Sequence, residues 1–431
     1  MFLAGIPIRG EFVLEMAKLV GDPELAAKLE RAVDRDVSVL ALTLEERRAI
    51  CDSSASIRRP VWGTSVRHSR SSGTGDAPPG SRGTRTSPIL IAAGRSTIRP
   101  VSVRWAASIA AIVAALVGTS VGDAARDRTV AVPTQVAVFY YAWYGSPRLD
   151  GAWLHWGQGA YAPPVGIGST FYPSRGPYSS ADPALLRTHM REIAATGIDT
   201  VVVSWWGPGS TEDKRLRPVA AAARSAGLLV ALHVEPWGGR TPSGVVDALR
   251  ALRGLGIRDV YVYDSTVHPD DAWRTALARL RGGVRVFAHT SLAGKARKGG
   301  FQGLYTYDVL INDGRSFRRM CNSARRLGLA CAPSVGPGFD SFRATGELRI
   351  RPRSDGRWYD HMWSAAVSAT PDVVTITSYN EWHEGTQIEP ARATAGPYAT
   401  YEGAWGLSGA RAERAYLERT AYWIARLRGT K

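Results

Sequence analysis

The sequence predicts a (β/α)8 TIM barrel over residues 130–431, preceded by an unrelated N-terminal segment and a signal or anchor sequence. Three observations predict it. From Gln135 onward, short β-branched or apolar runs alternate with helical stretches, and eight such pairs fit the size of this fold. The strand-like runs end in aromatic and ionisable residues, which is where the fold places its chemistry. No GxGxxG follows any of them, so a doubly wound open sheet with a dinucleotide site, the alternative architecture, has no support.

In order, the expected strands are Gln135–Tyr141, Ile198–Trp205, Leu228–Val234, Val260–Tyr263, Val284–His289, Gly303–Tyr307, Leu329–Ser334 and Val373–Thr377. The first is followed by a helix over Asp182–Thr196, where Asp182 reads as the N-cap and Pro183 as the first helical residue. Further helices are expected at Glu212–Ala226, Ser243–Leu255, Pro269–Arg281, Arg315–Leu327, Trp358–Ala369 and Arg411–Leu427. The connection after the fifth strand is only weakly helical, in Ser291–Lys298.

The first 124 residues read differently. Residues 1–52 have the pattern of a short helical segment, with Asp22-Pro23-Glu24 opening a run of helix formers to Ile50. Residues 53–104 are rich in Ser, Gly, Pro and Thr, and hold nine Arg against the single Asp76, the composition of a basic disordered linker. In residues 105–124, Trp105–Gly122 is uncharged over 18 positions. Its apolar centre, Ala106–Val117, has the length of a signal-peptide core, and Ser120-Val121-Gly122 offers small residues for cleavage. Uncleaved, the same stretch just reaches membrane-spanning length. On either reading the barrel is exported (secreted, periplasmic or at the cell surface) and membrane contact is confined to 105–122. A signal so far into a chain also fits a mis-assigned start, with the true one near Val101.

Composition narrows the function. Hydrophobic residues make up 45% of the chain and charged ones 21%, enough to build a core and exclude overall disorder. The net charge of +16 is spread over surface-type helix positions rather than clustered, so it reads as a solvated exterior and no nucleic-acid partner is expected. Cys51, Cys321 and Cys331 are too few for a disulfide scaffold and lack CxxC spacing; Cys321 and Cys331 read as small apolar residues. Neither a metal nor a cofactor is expected, and a monomer is.

At the expected strand ends stand YYAWYG (140–145), SWWGPG (204–209), HVEPW (233–237), YDS (263–265), YTYD (305–308), PSVGPG (333–338) and SYNEWHEG (378–385). Such a ring suits a sugar cleft, where aromatic faces stack on pyranoses and fixed polar groups meet hydroxyls. The alternative is that the rings simply cap the barrel. Glu381 and Glu384, three apart after the last strand and amid Asn380, Trp382 and His383, carry the reaction class. Glycoside cleavage needs two carboxyl groups, and two that lie close push their pKa values apart. Spacing alone would equally mark an exposed helix face. His233 and Glu235 point to one face of a strand. They read as hydrogen-bonding partners of sugar hydroxyls or as a structural ion pair, and a metal site with His383 lacks a recurring ligand.

The string VTITSYNEWHEGTQIEPA (374–391) strongly resembles the signature of glycoside hydrolase family 99, the endo-α-1,2-mannosidases and endo-α-1,2-mannanases. So do FYYAWYGSP (139–147), GSTFYPSRGPYSSADP (168–183), VVVSWWGPG (201–209), HVEPWGGR (233–240), YVYDS (261–265), GGFQGLYTYD (299–308) and APSVGPGFD (332–340), in the family's order. The resemblance covers about residues 135–425. It implies a (β/α)8 barrel, an endo-acting retaining hydrolase of α-mannosidic linkages, no metal cofactor, and a mannose-containing oligosaccharide or polysaccharide as partner. By the same resemblance, Glu381 acts as base on the sugar 2-hydroxyl, which closes on C1 to a 1,2-anhydro intermediate. Glu384 protonates the leaving oxygen and later activates water. By the same analogy Tyr141 (with Tyr140 as a one-residue alternative), Trp206 and Tyr305 or Tyr307 line the cleft, and Trp205, His233, Glu235, Arg240, Tyr263, Asp264, Asn380, Trp382 and His383 are the further candidate substrate-binding residues. Trp at position 206 is the mannan-cleaving pattern, where enzymes of glucose-capped glycans carry Tyr. Two departures stand out: a short loop between Asp150 and Gly166, and the stretch 339–360, which lacks the family's Trp-Asn and offers Arg343 and Arg351 instead.

Overall fold

The computed structural model describes residues 134–429, apart from 159–160, 281–282 and 395, together with the backbone of two short strands near the N-terminus. Those strands, Phe2–Leu3 and Ile6–Pro7, pair antiparallel. For these four residues the expected helical segment is corrected. β-prone Phe2, Leu3 and Ile6 beside Pro7 oppose a helix. The helical run 22–50, the linker 53–104 and the segment 105–124 lie outside the described residues. Among the described residues no helix is long and apolar enough to cross a membrane.

The remainder is the expected barrel. Its strands are β1 (Gln135–Tyr140), β2 (Thr200–Trp205), β3 (Leu229–Val234), β4 (Asp259–Val262), β5 (Arg285–His289), β6 (Gly303–Tyr305), β7 (Ala330–Ala332, resuming at Ser334–Val335) and β8 (Val373–Ile376). All neighbours pair parallel, and β8 pairs with β1 to close the ring. The seventh strand is broken at Pro333, which has no N–H to give to a ladder. Its first half pairs with β6 and its second with β8, so the sheet runs as nine segments round eight staves.

The helices between them are α1 (Pro183–Ala195), α2 (Thr211–Ser225), α3 (Pro242–Ala251), α4 (Asp270–Leu277), α5 (Ala293–Lys298), α6 (Phe317–Arg326), α7 (Arg357–Ser368) and α8 (Ala415–Leu427). Capping follows the sequence: the Asp182 carboxylate accepts from the backbone N–H groups of Ala184 and Leu185, with Pro183 opening α1. Ser210 and Thr241 cap α2 and α3 in the same way.

Side-chain alternation divides each strand between two cores. Val136, Val138 and Tyr140 of β1 face the helices, and Tyr140 reaches His189 of α1 at 3.1 Å. Phe139 faces the axis, where its ring meets those of His233, Tyr261, Tyr305 and Tyr307 at 4.6–6.1 Å. Gly303 leaves room beside the Phe287 ring, which stacks on Tyr261 at 4.7 Å. At the lower end Arg285 closes the axis with two bonds of 2.7 Å to Asp259 and one of 3.2 Å to Gln135. The interior is thus plugged below and aromatic in the middle, so the accessible end is the one where strands finish.

One expectation is overturned. Cys321 on α6 and Cys331 on β7 form a disulfide, with Cα atoms 5.1 Å apart. Outward-facing Cys331 meets the buried face of the helix leading into its own strand. Tying α6 to β7 constrains the unfolded chain, so Cys321→Ala/Cys331→Ala should lose about 2–3 kcal/mol, read by urea denaturation. Reductant should lower the midpoint of the parent protein and leave that of the double variant unchanged.

Candidate active site

Both acidic residues of the Asn380–Gly385 stretch lie at the strand-end mouth, on a loop that leaves β8 and folds back on itself. The Ser378 N–H donates to the Thr386 carbonyl at 2.9 Å, and the Ile388 N–H to the Ser378 carbonyl at 2.9 Å. Inside that pinch the Glu381 N–H donates to Ser378 Oγ at 2.7 Å. Neighbouring elements hold the loop from outside. Asn380 exchanges bonds of 2.7 and 2.9 Å with the Tyr141 backbone, Tyr144 donates to the Asn380 carbonyl at 3.1 Å, and the Asp340 N–H donates to the Glu384 carbonyl at 2.8 Å. Arg353, stacked among Phe171, Tyr401 and Tyr416, donates to the carbonyls of Gly385 and Gln387. Beneath, fully buried Glu389 accepts from Trp382 Nε1 at 2.9 Å and Tyr178 at 2.7 Å, with His189 Nε2 at 3.0 Å.

This frame puts two carboxyl groups where water is scarce. Glu381 is 3% exposed. Burial, then the charge of Glu384, hold its pKa well above the carboxylate range. Glu384 is pushed up to about 8, first by burial and then by Asp308 and Glu235, while a hydrogen bond from Tyr307 works the other way. The pair therefore keeps a proton near neutral pH, as two desolvated acids sharing a site must. Glu381 Oε1 accepts from the His383 N–H at 3.2 Å, and its Oε2 has no protein partner. Burial pushes the His383 imidazole down to about 3, so it is neutral.

Around the pair, Tyr141 and Tyr307 share a hydroxyl–hydroxyl hydrogen bond. Tyr307 stacks on His233 at 5.1 Å; His233 meets Tyr305 at 2.9 Å and Glu235 at 2.8 Å, and Ser204 donates to that same Glu235 oxygen. Tyr263 stacks on His289 at 4.5 Å and donates to Asp308 at 3.1 Å. On the other side Trp143 carries the His155 ring at 4.6 Å and approaches Trp206 and His383 at 6.4 and 6.3 Å. The Trp206 indole nitrogen is buried without a partner, while the Trp143 indole reaches Tyr144 and the His383 ring the His155 backbone. Buried polar atoms are nearly always satisfied, so the Trp206 indole together with Glu381 Oε2 marks a site shaped for a polar ligand.

The structure separates the expected residues. Tyr141, Glu235, Tyr263, Tyr307 and His383 gather about the two acids, with His233 stacked behind Tyr307, Trp206 beside Trp143 and Asp264 beside His289. Tyr140 turns away to α1, which resolves the one-residue alternative in favour of Tyr141. Trp205 is corrected as a cleft residue: inward Ser204 forces it outward, where it donates to Asp213 of α2 at 2.8 Å and packs on Trp237. Arg240 spends its guanidinium on the backbone carbonyls of Val234, Tyr263 and Asp264, joining the loops after β3 and β4. Asn380, Trp382 and Tyr305 are fully buried with their polar atoms bonded within the protein, so they support the cleft from behind. Arg343 lies over Tyr161 and Tyr398, and Arg351 over Trp358. His233 and His383 are engaged with different partners, and among the described residues no cluster is arranged to hold a metal ion.

Trp143, His155, His289, Asp308 and Glu389 belong to the site or its frame and were missed as candidates. His289 ends β5 and Asp308 ends YTYD, so strand-end position was the available signal for both. A separate groove of about 780 Å³ between α5 and α6, lined by Lys295, Lys298, Arg319 and Arg326, offers cations on an open surface and no paired carboxylates.

A parallel barrel whose mouth holds two adjacent desolvated carboxyl groups in an aromatic ring has the equipment of a glycoside hydrolase. The chain belongs to glycosyl hydrolase family 99, whose family model matches residues 131–429. It is similar to a glycoprotein endo-alpha-1,2-mannosidase-like protein of Danio rerio, 33% identical over 62% of this chain and 74% of that one. A glycoprotein endo-alpha-1,2-mannosidase of Xenopus laevis is 30% identical over 59% of this chain and 69% of its own. Among solved structures, the GH99 endo-alpha-mannosidase from Bacteroides thetaiotaomicron superposes with a TM-score of 0.61 at 28% identity, covering 69% of this chain and 98% of that one.

The residue after Glu384 gives a test of the frame. Gly385 has φ +63°, and a Cβ there would stand 2.9 Å from the Asp340 carbonyl oxygen. Gly385→Ala should cost about 1–3 kcal/mol of stability and, by displacing Glu384, lower kcat at least about tenfold. Urea denaturation and initial rates on one preparation would check both.

Proposed function

We propose that the protein is an exported, endo-acting, retaining α-1,2-mannosidase that cleaves internal linkages of mannan or mannose-rich glycans through a 1,2-anhydro sugar. One observation carries the reading: Glu381 and Glu384 are desolvated together at the strand-end mouth, so that the pair keeps a proton near neutral pH, and one Glu381 oxygen is unpartnered. In the first step Glu381 takes the proton of the sugar 2-hydroxyl, O2 bonds to C1, and Glu384 gives its proton to the departing glycosidic oxygen. In the second, Glu384 takes a proton from water, whose oxygen bonds to C1 as the C1–O2 bond breaks, and Glu381 returns its proton to O2. Two inversions give retention. An α-mannoside suits this route because its axial 2-hydroxyl lies opposite the axial leaving group, already in line for displacement.

Tyr141, Tyr307 and His233 line the reacting sugar's site in this reading, and the Trp143–Trp206 wall receives its neighbour. Names of the relatives point to the oligosaccharides of glycoproteins as a second substrate; Trp206 favours mannan. Export is supported by the uncharged 105–122 stretch and by the Cys321–Cys331 disulfide, a bond that persists in oxidising compartments.

Yeast mannan and a glucosylated mannose oligosaccharide, digested in parallel and read by mass, decide the substrate. Mannose-terminated disaccharide from mannan is the expected product; release only of glucosyl-mannose would move the assignment to the second substrate. Glu384→Gln should lower kcat by at least about a thousandfold while oligosaccharide binding stays measurable by calorimetry. Because Glu384 must enter the first step protonated, kcat/KM should hold at neutral pH and fall as pH rises through about 8.

A further inference from the structure

Between β4, β5 and β6 lies a cluster that the two-carboxylate reaction does not use. His289, at the end of β5, stands with Nε2 3.2 Å from Asp308 Oδ2 and Nδ1 3.8 Å from Asp264 Oδ1. Tyr263 stacks on the imidazole at 4.5 Å and donates to the other Asp308 oxygen at 3.1 Å. Asp308 is therefore gripped on both oxygens, by residues from two other staves of the barrel. It directly follows Tyr307, whose hydroxyl hydrogen-bonds Glu384, and Tyr263 meets the Tyr307 ring at 5.4 Å. The clasp is thus one aromatic layer away from Glu384.

We propose that Asp308, held in place by His289 and Tyr263, is the positioning charge that keeps Glu384 loaded with its proton between turnovers. This rests on the reading of Glu384 as the acid. A carboxyl group facing a fixed anion ionises less readily, because its own negative charge is repelled. Burial works against ionisation of Asp308, but the hydrogen bond and charge of His289 and the bond from Tyr263 outweigh it and hold its pKa below the usual value. Burial likewise opposes the His289 charge, yet Asp264 and Asp308 hold its pKa up to about 9. At neutral pH the clasp holds the Asp308 carboxylate against the His289 imidazolium, and after burial the Asp308 charge is the largest influence raising Glu384. The other groups facing Glu384 are Tyr141 after β1, Glu235 after β3, Tyr263 after β4, Tyr307 after β6 and Glu381 on its own loop. Arg240, from the loop after β3, faces Asp264. Among these groups Asp308 alone is both fixed on each oxygen and kept ionised by a cation of its own.

The experiment titrates the full-length protein labelled with ¹³C at glutamate carboxyls, with the Glu384 signal assigned by its loss in Glu384→Gln, beside the kcat/KM profile of each variant. Asp308→Asn keeps the shape and an acceptor for Tyr263 but removes the charge. The Glu384 midpoint and the alkaline limb of activity should both fall by about one pH unit. His289→Gln removes the cation and leaves the anion, so both should move upward. Asp308→Glu, restoring the charge, should return both towards the parent. A Glu384 midpoint unchanged in Asp308→Asn overturns the proposal, whatever happens to the rate. So do equal downward shifts in the Asp308→Asn and His289→Gln variants, which would report a loosened cleft. Full turnover by Glu384→Gln would instead defeat the assignment of Glu384 as acid, and the carboxyl titration would still decide what Asp308 does to it.

Discussion

Burying two like-charged groups side by side is the constraint on which the rest depends. Each carboxylate withdrawn from water is costly, and its neighbour's charge adds to that cost, so the pair relaxes unless the backbone denies it room. The loop after β8 denies it. Its own pinch at Ser378–Thr386, the Asn380–Tyr141 exchange, the Asp340–Glu384 backbone bond and the Arg353 donations leave little freedom in the main chain that carries both acids. Glu389 below holds Trp382, one of the two residues between them. Stability spent on this frame is recovered as pre-organisation: the proton that cleavage needs is already stored at the position of use.

The barrel supplies what the loop cannot. Its lower end is closed by Arg285, Asp259 and Gln135, and its middle by a stack of rings, so solvent enters only at the mouth. Inward residues of neighbouring staves then form the cleft floor in register: Ser204 beside His233, His233 beside Tyr261, and His289 beside Tyr305. Polar groups at the floor are bonded to one another, while Trp206 Nε1 and Glu381 Oε2 at the side are not. Fixed below and unsatisfied at the side, the site holds its acids still and keeps its donors for a ligand.

Much of this was legible because barrel strands carry strong local signals. All eight staves are near their expected places, and the Asp182–Pro183 cap begins α1 as its chemistry dictates. What escaped was parity and distance. Whether Tyr140 or Tyr141, and Trp205 or Trp206, faces the axis turns on a single residue of register, and every side chain changes sides with it. Ser204 reveals the answer only through its bond to Glu235 on the next strand. Arg240 looked like a ligand-binding cation because its use, three backbone carbonyls on two loops, is a tertiary fact. The disulfide escaped for a related reason. Cys321 and Cys331 each looked like packing residues, and only the return of α6 onto β7 brings them together.

The same parity rule explains why the clasp around His289 sits beside Glu384 and not beside Glu381. His289, Tyr263 and Tyr307 fall on the inward side of their staves, on the arc running from β4 to β6, and Asp308 is bonded among them. Glu381 faces the opposite wall, where His155 and His383 are neutral and the indoles carry no charge. Both acids feel the charge of Glu235, while that of Asp308 bears on Glu384. A pair that were chemically alike on adjacent turns of one loop becomes unequal through the walls it faces, and unequal partners are what a reaction with one proton donor and one proton acceptor requires.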